Sequence, residues 1–405
     1  MLHITNFWKD ANNTHKDKQS QCCGCTACAS ICPVMAISMS YDKEGFLYPR
    51  LNEDLCLNCG RCLRVCPVYN ECKDNNSYLQ TYAGYSTDNE ILSKSTSGGF
   101  ATELSRLIIS KGGLVFGVSY DENYVKARYS IAASIEDLLR FAGSKYIQAE
   151  KGPIFNEVKQ NLLNGKLVLF TGLPCDIAAL KLFLNKDYEN LYTCELICMG
   201  VTSYKIAEDY KLWREKERNT SLVYLNARSK HNGWFVPHLE EHFSDGSKKY
   251  STLFGTYYGR GFQIYNRSSC YECQYRGEVG LADFRIGDFW GIKKDDPYYN
   301  ENGVSCIFVR TNKGMTLIKE LGKVGFFLYQ TDYLTATGNN MSSYTNKSLK
   351  YIKLKKRFLM EYQRKGLGSA CWSTADLGFI IKYLLPLKYT KNLKHLYHLI
   401  IDKKK

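Results

Sequence analysis

The sequence predicts an α/β and α+β chain in two parts: a small N-terminal module rich in cysteine, and a larger mixed α/β region behind it. Two observations lead to this prediction. Cysteines recur at a fixed spacing only near the N-terminus, between residues 22 and 66. Beyond residue 79, short apolar runs typical of buried strands alternate with amphipathic runs typical of helices. A length of 405 residues with 44% hydrophobic residues allows two or three packed domains.

The cysteine content bears on the compartment in which the protein works. In a short secreted protein 17 cysteines would indicate a disulfide scaffold, but this chain is long and Met1 to Asn13 contains no apolar signal-peptide core. The apolar run Leu377 to Leu387 is interrupted by Lys382 and Pro386 and is too short to cross a bilayer. We therefore expect a cytoplasmic protein with reduced thiols and no transmembrane helix.

The formal charge of +14 is concentrated at the C-terminal end. Residues 341–405 hold 15 Lys and Arg against 3 Asp and Glu, a net charge of +12, so the rest of the chain is nearly neutral. Nucleic-acid binding would require basic residues interleaved with stacking aromatics on a recognisable module, and none is present. We therefore expect no nucleic-acid partner.

A repeated cysteine pattern defines the N-terminal module, residues 15–75. The pattern C-x2-C-x2-C-x3-C-P occurs twice, as Cys22, Cys25, Cys28, Cys32 and Pro33 and again as Cys56, Cys59, Cys62, Cys66 and Pro67. This is the spacing of bacterial dicluster ferredoxins, in which the fourth cysteine of each run binds the other [4Fe-4S] cluster. One cluster is therefore expected on Cys22, Cys25, Cys28 and Cys66, and a second on Cys56, Cys59, Cys62 and Cys32.

A zinc-binding or disulfide-rich segment is the alternative for this module, but one zinc ion takes four ligands and the repeat supplies eight in register. Cys23 and Cys72 fall outside the register and are interpreted as thiols with no role in ligation. Alternation from Ile37 to Tyr41, followed by the stretch Gly45 to Tyr48, predicts a short hairpin beside the cysteine loops.

The region behind the module is predicted to form two domains, at residues 79–160 and 161–335. The predicted elements are helix Phe100–Ile109, strand Leu114–Val118, helices Ile135–Phe141 and Pro153–Leu163, strand Leu167–Phe170 and helix Asp176–Leu184. This order is typical of α/β folds, whose turns are available for ligands.

Small and hydroxyl-bearing residues cluster at three of these turns. The turns are Thr96, Ser97, Gly98 and Gly99; Gly143, Ser144, Lys145 and Tyr146; and Thr171 with Gly172. Helix N-termini of this kind can bind a cofactor phosphate, although caps of the same composition are also common without a ligand. No G-x-G-x-x-G follows a strand and no G-x4-G-K-S/T occurs, so neither a Rossmann dinucleotide site nor a P-loop is supported.

A second set of cysteines predicts a third metal site. Its members are Cys175 at a strand-to-helix turn, Cys198 after an apolar run, and the pair Cys270 and Cys273. A helix N-terminus lowers the pKa of a thiol such as Cys175, which favours ligation. The alternatives are a zinc site, or isolated buried thiols of the kind expected at Cys194, Cys306 and Cys371.

Six motifs taken together resemble a known family. They are Thr96-Ser97-Gly98-Gly99, Gly143-Ser144-Lys145-Tyr146, Thr171-Gly172-Leu173-Pro174-Cys175, Leu196-Ile197-Cys198, Cys270-Tyr271-Glu272-Cys273 and Gly287-Asp288-Phe289-Trp290-Gly291. In this order they resemble the coenzyme F420 hydrogenase/dehydrogenase beta-subunit family, and specifically its bacterial members associated with polysaccharide biosynthesis. With the N-terminal module included, the resemblance covers residues 15–335.

The resemblance implies a flavin-binding domain behind the ferredoxin module, with FAD expected in preference to FMN. The three turns become the flavin contacts, and Cys175, Cys198, Cys270 and Cys273 become ligands of a third [4Fe-4S] cluster. Lys145, Arg228 and Lys230 become candidates to hold an anionic substrate or the flavin phosphates, with solvated surface residues as the alternative for Arg228 and Lys230. Met199 stands where many relatives have a histidine, so no proton donor is assigned there.

The same resemblance implies an oxidoreductase that moves electrons between iron–sulfur clusters and a flavin. It implies a protein that donates or accepts electrons, and a small organic or glycan-pathway substrate. The alternative is a subunit that delivers electrons to a partner enzyme without a substrate of its own. No catalytic side chain is assigned.

The last predicted segment is a basic helical tail, residues 336–405. Apolar residues between Leu393 and Ile401 recur at helical spacing with lysines and histidines on the rest of the surface. Such a helix can lie on the anionic inner face of a membrane, or it can dock its apolar face on the parent domain.

Overall fold

The structure, a computed structural model, describes residues 18–70, 78–277, 280–338 and 349–384. The N-terminal module contains one antiparallel hairpin and two short helices, one after each cysteine loop. Its elements are a 3₁₀ helix Lys18–Gln21, α1 Ala27–Ser30, β1 Ile37–Tyr41, β2 Leu47–Leu51 and α2 Arg61–Arg64. Each α-helix is preceded by a residue with positive φ, Thr26 at 67° and Gly60 at 70°. The hairpin predicted from the alternation is therefore present.

Within the described residues, twelve further strands form two sheets. They are β3 Gln80–Ser86, β4 Leu114–Tyr120, β5 Ala127–Ala132, β6 Ala149–Glu150, β7 Val168–Gly172, β8 Leu191–Leu196, β9 Leu222–Ser229, β10 His238–Phe243, β11 Lys248–Thr252, β12 Phe284–Asp288, β13 Ser305–Val309 and β14 Phe326–Thr331. The large sheet has the order β14-β3-β13-β12-β8-β7-β4-β5-β6, and the small one the order β11-β10-β9. Strands from both sides of residue 160 thus belong to one sheet.

The large sheet is parallel at its centre and has antiparallel pairs on both sides, β12 with β13 towards one edge and β4 with β5 towards the other. Strands β12, β8, β7 and β4 pair in parallel, whereas β13, β3 and β14 pair antiparallel. Parallel pairing requires crossover connections, which the helices between these strands supply. The predicted mixed α/β fold behind a ferredoxin-like module is confirmed.

The helices of this region agree closely with the sequence pattern. They are α3 Asn89–Lys94, α4 Phe100–Ser110, α5 Ile154–Leu163, α6 Pro174–Leu184, α7 Tyr204–Arg218, α8 Tyr257–Ile264, α9 Asn312–Leu321, α10 Tyr333–Thr337, α11 Leu349–Ser373 and α12 Leu377–Leu384. In the described part of this region 3₁₀ helices accompany them at Glu136–Phe141, Leu253–Gly255 and Ser268–Cys270. The segment predicted as helix Ile135–Phe141 is one of these 3₁₀ helices rather than an α-helix.

Alternate residues of the central strands face opposite layers of helices. Leu169 packs with Leu104 of α4, whereas its neighbour Phe170 packs with Phe155 of α5 and Ile177 of α6. The period of two along a strand explains this division. Both faces of the sheet centre are therefore covered, and the ends of its strands remain as the places open to ligands.

The described part of the basic tail docks on the protein. Helix α11, which is interrupted at Gly366 where φ is 80°, packs against α8. Phe358 is fully buried with its ring stacked at 5.5 Å on Tyr265. Lys355 pairs with Glu44 of the N-terminal module at 3.0 Å. Helical structure from α11 to α12 fits the docking alternative, whereas the helix predicted between Leu393 and Ile401 lies outside the described residues.

Among the described residues, no helix is both long enough and apolar enough to cross a membrane.

We expect Phe358→Ala to lower the free energy of unfolding by about 3–5 kcal/mol, because a fully buried ring is replaced by a cavity. Met360→Ala is the control, since Met360 is on the same helix and 65% exposed. Denaturant titration of anaerobic protein measures the difference. Equal stability of the two variants would show that the tail does not dock.

Candidate cofactor and metal site

A cavity of about 450 Å³ lies beside the ends of the central strands. Its size is within the range of roughly 300–1,000 Å³ typical of cofactor pockets. Most of the predicted turn residues line it: Thr96, Ser97, Gly99, Gly143, Ser144, Lys145, Tyr146, Thr171 and Gly172. All four cysteines of the third predicted set line it as well. The structure therefore brings together two groups of residues that the sequence could only propose separately.

Hydrogen bonds join the first two turns. Thr96 Oγ1 and Ser144 Oγ are 3.0 Å apart, and the Gly98 N–H donates to Ser305 Oγ at 3.0 Å. Gly98 lies behind the lining rather than in it, where an added Cβ would be 2.2 Å from the Gly84 carbonyl oxygen. Gly99 has φ of 86° and starts α4. The chain here follows a path that only glycine permits.

One buried hydroxyl in this wall lacks a partner within the described chain. Ser95 is 7% exposed, its Oγ has no hydrogen-bond partner among the described residues, and it lines the cavity next to the start of α4. A free hydroxyl beside the first N–H groups of a helix fits an anionic group such as a cofactor phosphate.

The predicted basic residues are not solvated surface groups. Lys145 donates from Nζ to the carbonyls of Phe141, Ala142 and Gly143, and burial lowers its pKa to about 7. Burial likewise lowers the pKa of Lys230 to about 7, and its Nζ donates to the Ser97 carbonyl at 2.6 Å.

Arg228 is buried and pairs at 3.0 Å with Asp288, which lines the cavity. The surface interpretation of Arg228 and Lys230 is wrong. Lys230 braces the first turn, and Arg228 holds a cavity carboxylate.

The third cysteine set gathers at one end of the cavity. Cys175 is in the first turn of α6, Cys198 follows β8, and Cys270 ends a 3₁₀ helix, with Cys273 beyond it. Burial, and then the neighbouring Cys270, raises the pKa of Cys198 to about 12. The Gly200 N–H donates to Cys198 Sγ at 3.3 Å.

These thiols fit a cationic centre. Buried thiols disfavour one another's thiolate forms, and bound metal reverses this by supplying positive charge. Within the described ranges, no group of three or more His, Cys, Asp or Glu side chains is arranged around a single ion. The four thiols instead line a shared volume, as a cubane requires.

The N-terminal cysteines of the two runs lie close to one another. Burial, and then the nearby thiols of Cys22 and Cys66, raises the pKa of Cys28, so the last cysteine of the second run lies beside the first run. The other crossover set lines a small cavity of about 20 Å³: Cys32, Cys56, Cys59 and Cys62. Backbone N–H groups point at two of its sulfurs, from Ala36 to Cys32 at 3.2 Å and from Asn58 to Cys56 at 3.4 Å. N–H···S bonds of this kind help to set cluster potentials.

Cys23, which falls outside the ligand register, lies beside Cys25 and Cys175. Hydrogen bonds with Cys175 and Cys25 are the main reason that the pKa of Cys23 lies well below its usual value. It packs with both in one core cluster. Register alone could not reveal this, because Cys175 is distant in the sequence. Cys72 lies outside the described residues.

Two buried residues that the sequence did not single out fix the cysteine loop. Arg267 Nε donates to the Cys22 carbonyl at 2.6 Å, and its Nη1 donates to Gln148 Oε1 at 3.3 Å. Gln148 Nε2 in turn donates to the Cys23 carbonyl at 3.4 Å. The one feature of the sequence that could have pointed to Arg267 is its position three residues before Cys270.

A buried ion pair beside Cys175 was also missed. Lys151 Nζ and Asp176 Oδ1 are 3.1 Å apart with both side chains 4% exposed, and the Tyr129 hydroxyl donates to Asp176 Oδ2 at 3.0 Å. Burial disfavours the Lys151 ammonium, but Asp176 and Cys175 outweigh it and raise the pKa of Lys151. Lys151, Asp176 and Tyr129 all line the cavity, so its wall carries charged groups next to Cys175.

Three family profiles match the chain in order. A 4Fe-4S dicluster domain matches residues 21–70, and the N-terminal and C-terminal parts of the coenzyme F420 hydrogenase/dehydrogenase beta subunit match residues 81–151 and 165–331. The matches place the chain in the class of iron–sulfur oxidoreductase subunits. Specifically, the chain belongs to the coenzyme F420 hydrogenase/dehydrogenase beta-subunit family, as the six motifs predict.

One similar solved structure is a chain of the xenon-derivatised F420-reducing [NiFe] hydrogenase complex from Methanosarcina barkeri. It has 19% sequence identity and a TM-score of 0.46, and the match covers 71% of this chain and 96% of that chain. No curated protein matches the sequence.

We expect Asp176→Asn to lower the free energy of unfolding by about 3–5 kcal/mol, because it leaves the buried Lys151 ammonium without a carboxylate. Glu189→Gln, at an exposed position, serves as the control. Denaturant titration compares the two. A cost no greater than that of the control would contradict the buried pair.

Proposed function

We propose that this chain is an iron–sulfur flavoprotein oxidoreductase of the cytoplasm. Electrons pass between two N-terminal [4Fe-4S] clusters, a third cluster on Cys175, Cys198, Cys270 and Cys273, and a flavin in the cavity. The observation that carries the proposal is the shared cavity, whose wall contains both the phosphate-binding type of turn and the four thiols. Clusters carry single electrons and a flavin handles two, so when bound they convert between one-electron and hydride chemistry.

The chain's own residues have separable roles in this proposal. The turns at Thr96–Gly99 and Gly143–Tyr146, tied by the Thr96–Ser144 hydrogen bond, would hold the flavin. The free Ser95 hydroxyl and the start of α4 would take a phosphate group. Lys145, with its Nζ already bonded to three carbonyls, would brace its turn rather than reach a ligand.

FAD is proposed in preference to FMN on the basis of family membership. The substrate is proposed to be a small organic or glycan-pathway molecule that reaches the flavin from the open side of the cavity. The second candidate is a subunit that supplies electrons to a partner enzyme, and the family description as a beta subunit favours it. A stoichiometric catalytic partner in a pull-down would support this second candidate.

We expect anaerobically purified protein to contain about twelve irons, from three clusters of four, together with one flavin per chain. Cys175→Ala should retain only about eight irons, because the third cluster loses a ligand while the ferredoxin set is intact. Iron, sulfide and flavin analysis measures this.

Cys194→Ala is the matched control, since Cys194 is fully buried in strand β8 away from the cavity. It should keep the wild-type iron content. Eight irons in the wild type would contradict the proposed third cluster. An absence of flavin would contradict the proposed transfer between clusters and a flavin.

We expect Gly98→Ala to lose most of the bound flavin. An added Cβ would lie 2.2 Å from the Gly84 carbonyl oxygen, so the turn must move. Gly368→Ala provides the comparison, because the nearest atom there is 3.4 Å away, on Tyr257. Flavin fluorescence after denaturation gives the content, and circular dichroism confirms folding. A folded Gly98→Ala protein with full flavin would exclude this turn from the site.

A further inference from the structure

The motif Gly287–Gly291 has no role in the function proposed above, although it meets the cavity. Asp288 is the last residue of strand β12, and both Asp288 and Trp290 line the cavity. Within the described residues three carboxylates line it, and the other two, Asp176 and Glu272, are each next to a cysteine of the third set in the sequence. Asp288 is therefore the cavity carboxylate that the proposed clusters do not account for.

The Asp288 carboxylate is held from behind by two buried donors. Arg228 Nη2 donates to its Oδ2 at 3.0 Å, and Trp234 Nε1 donates to its Oδ1 at 2.9 Å. The Arg228 side chain is 3% exposed and Trp234 is 2% exposed, whereas the Asp288 side chain is 15% exposed. A carboxylate has about four lone-pair sites, so each oxygen can accept a further hydrogen bond. Asp288 is thus a fixed acceptor in the cavity wall, with its charge balanced by Arg228.

An indole ring lies beside this acceptor. Trp290 stacks on the buried Trp234, with ring planes 2° apart and ring centres 5.3 Å apart. The Arg228 guanidinium lies 5.5 Å from the centre of the Trp290 ring. Trp290 itself is partly buried. A flat aromatic surface next to a hydrogen-bond acceptor suits a planar ring that carries an N–H group at its edge.

Asp288 lies between the first turn and the third cysteine set. On one side it pairs in register with Ser305, whose Oγ accepts the Gly98 N–H. On the other side an added Cβ at Gly287 would be 2.7 Å from Cδ1 of Ile197, which directly precedes a cysteine of the third set. A phosphate next to the carboxylate would be repelled, whereas a neutral N–H would be accepted. The ring of a cofactor whose phosphate is at the first turn therefore fits Asp288 better than its phosphate does.

We propose, resting on the flavin of the function proposed above, that Asp288 is a specificity-determining residue that accepts a hydrogen bond from the imide N–H of the flavin ring. The imide N–H lies at the edge of the ring system between two carbonyl groups, and it is the only N–H of the oxidised ring. FAD and FMN share it. Trp290 forms the wall beside the ring, and Arg228 and Trp234 are positioning residues that hold the carboxylate in place.

The test uses full-length protein that keeps its clusters and from which flavin has been removed anaerobically. The probes are FAD and 3-methyl-FAD, in which a methyl group replaces the imide hydrogen. Equilibrium dialysis gives the Kd of each probe, and the readout is the ratio of the two Kd values within one protein, so that a general weakening of the site cancels. In the wild type 3-methyl-FAD should bind on the order of 10–100-fold more weakly than FAD, because methylation removes a hydrogen bond to a charged acceptor.

In Asp288→Ala the ratio should fall to about 1, because the acceptor is gone. Asp295→Asn, which changes an exposed aspartate on the same loop, is the control and should keep the wild-type ratio. If Asp288→Ala does not fold because the buried Arg228 loses its partner, Asp288→Asn takes its place, since it keeps the side-chain shape while removing the charge. Its ratio should also fall below that of the wild type.

A wild-type ratio near 1 would overturn the proposal. An equal ratio in the wild type and the Asp288 variant would overturn it as well, because the carboxylate would then face another part of the cofactor or a substrate. A similar fall in Asp295→Asn would show that the effect is not specific to Asp288, with the same consequence. Wild-type protein that is purified without flavin and binds neither probe would instead defeat the flavin of the proposed function.

Discussion

The buried guanidinium of Arg267 is the interaction on which the arrangement of the redox groups depends. Its side chain is fully buried, with Nε on the Cys22 carbonyl and the guanidinium 4.0 Å from the centre of the Tyr48 ring. A buried charge is stable only when it is well paired and hydrogen-bonded. Burial disfavours the cation, but the thiols of Cys22 and Cys23 help to raise the pKa of Arg267. The cation is thus held by the cysteine loop that it positions.

This contact makes the ferredoxin module part of the main body rather than an appended domain. Gly24 has no room for a side chain, because a Cβ would lie 2.3 Å from Gln148 Nε2. On the other side of the module, Ser203 Oγ donates to the Gly45 carbonyl at 3.2 Å. The module is therefore seated through its backbone at two places. Such seating fixes the separation between redox groups, which a flexible linker between domains would leave variable.

Much of the candidate site could be predicted because its chemistry is local in sequence. Eight cysteines at ferredoxin spacing need no long-range information, and the glycine and hydroxyl turns follow from helix starts. The residues that were missed, Arg267, Gln148 and the Lys151–Asp176 pair, acquire their roles only from partners distant in the chain. A single arginine or glutamine carries no periodic signal.

The burial of the three cysteine sets gives the proposed relay an order. In the second ferredoxin set Cys59 is exposed and Cys56 and Cys32 are partly buried, whereas every member of the first set is buried. The first set in turn adjoins the cavity through Cys23. In the proposed relay an outside protein would approach the second cluster closely, and the first cluster would lie between it and the third. In the predicted crossover pattern each ferredoxin run would supply its fourth cysteine to the other cluster, so the first two steps would also be tied covalently through the chain. One end of the proposed relay would face a protein partner and the other would face the cavity, so electrons could enter without opening the substrate side to solvent.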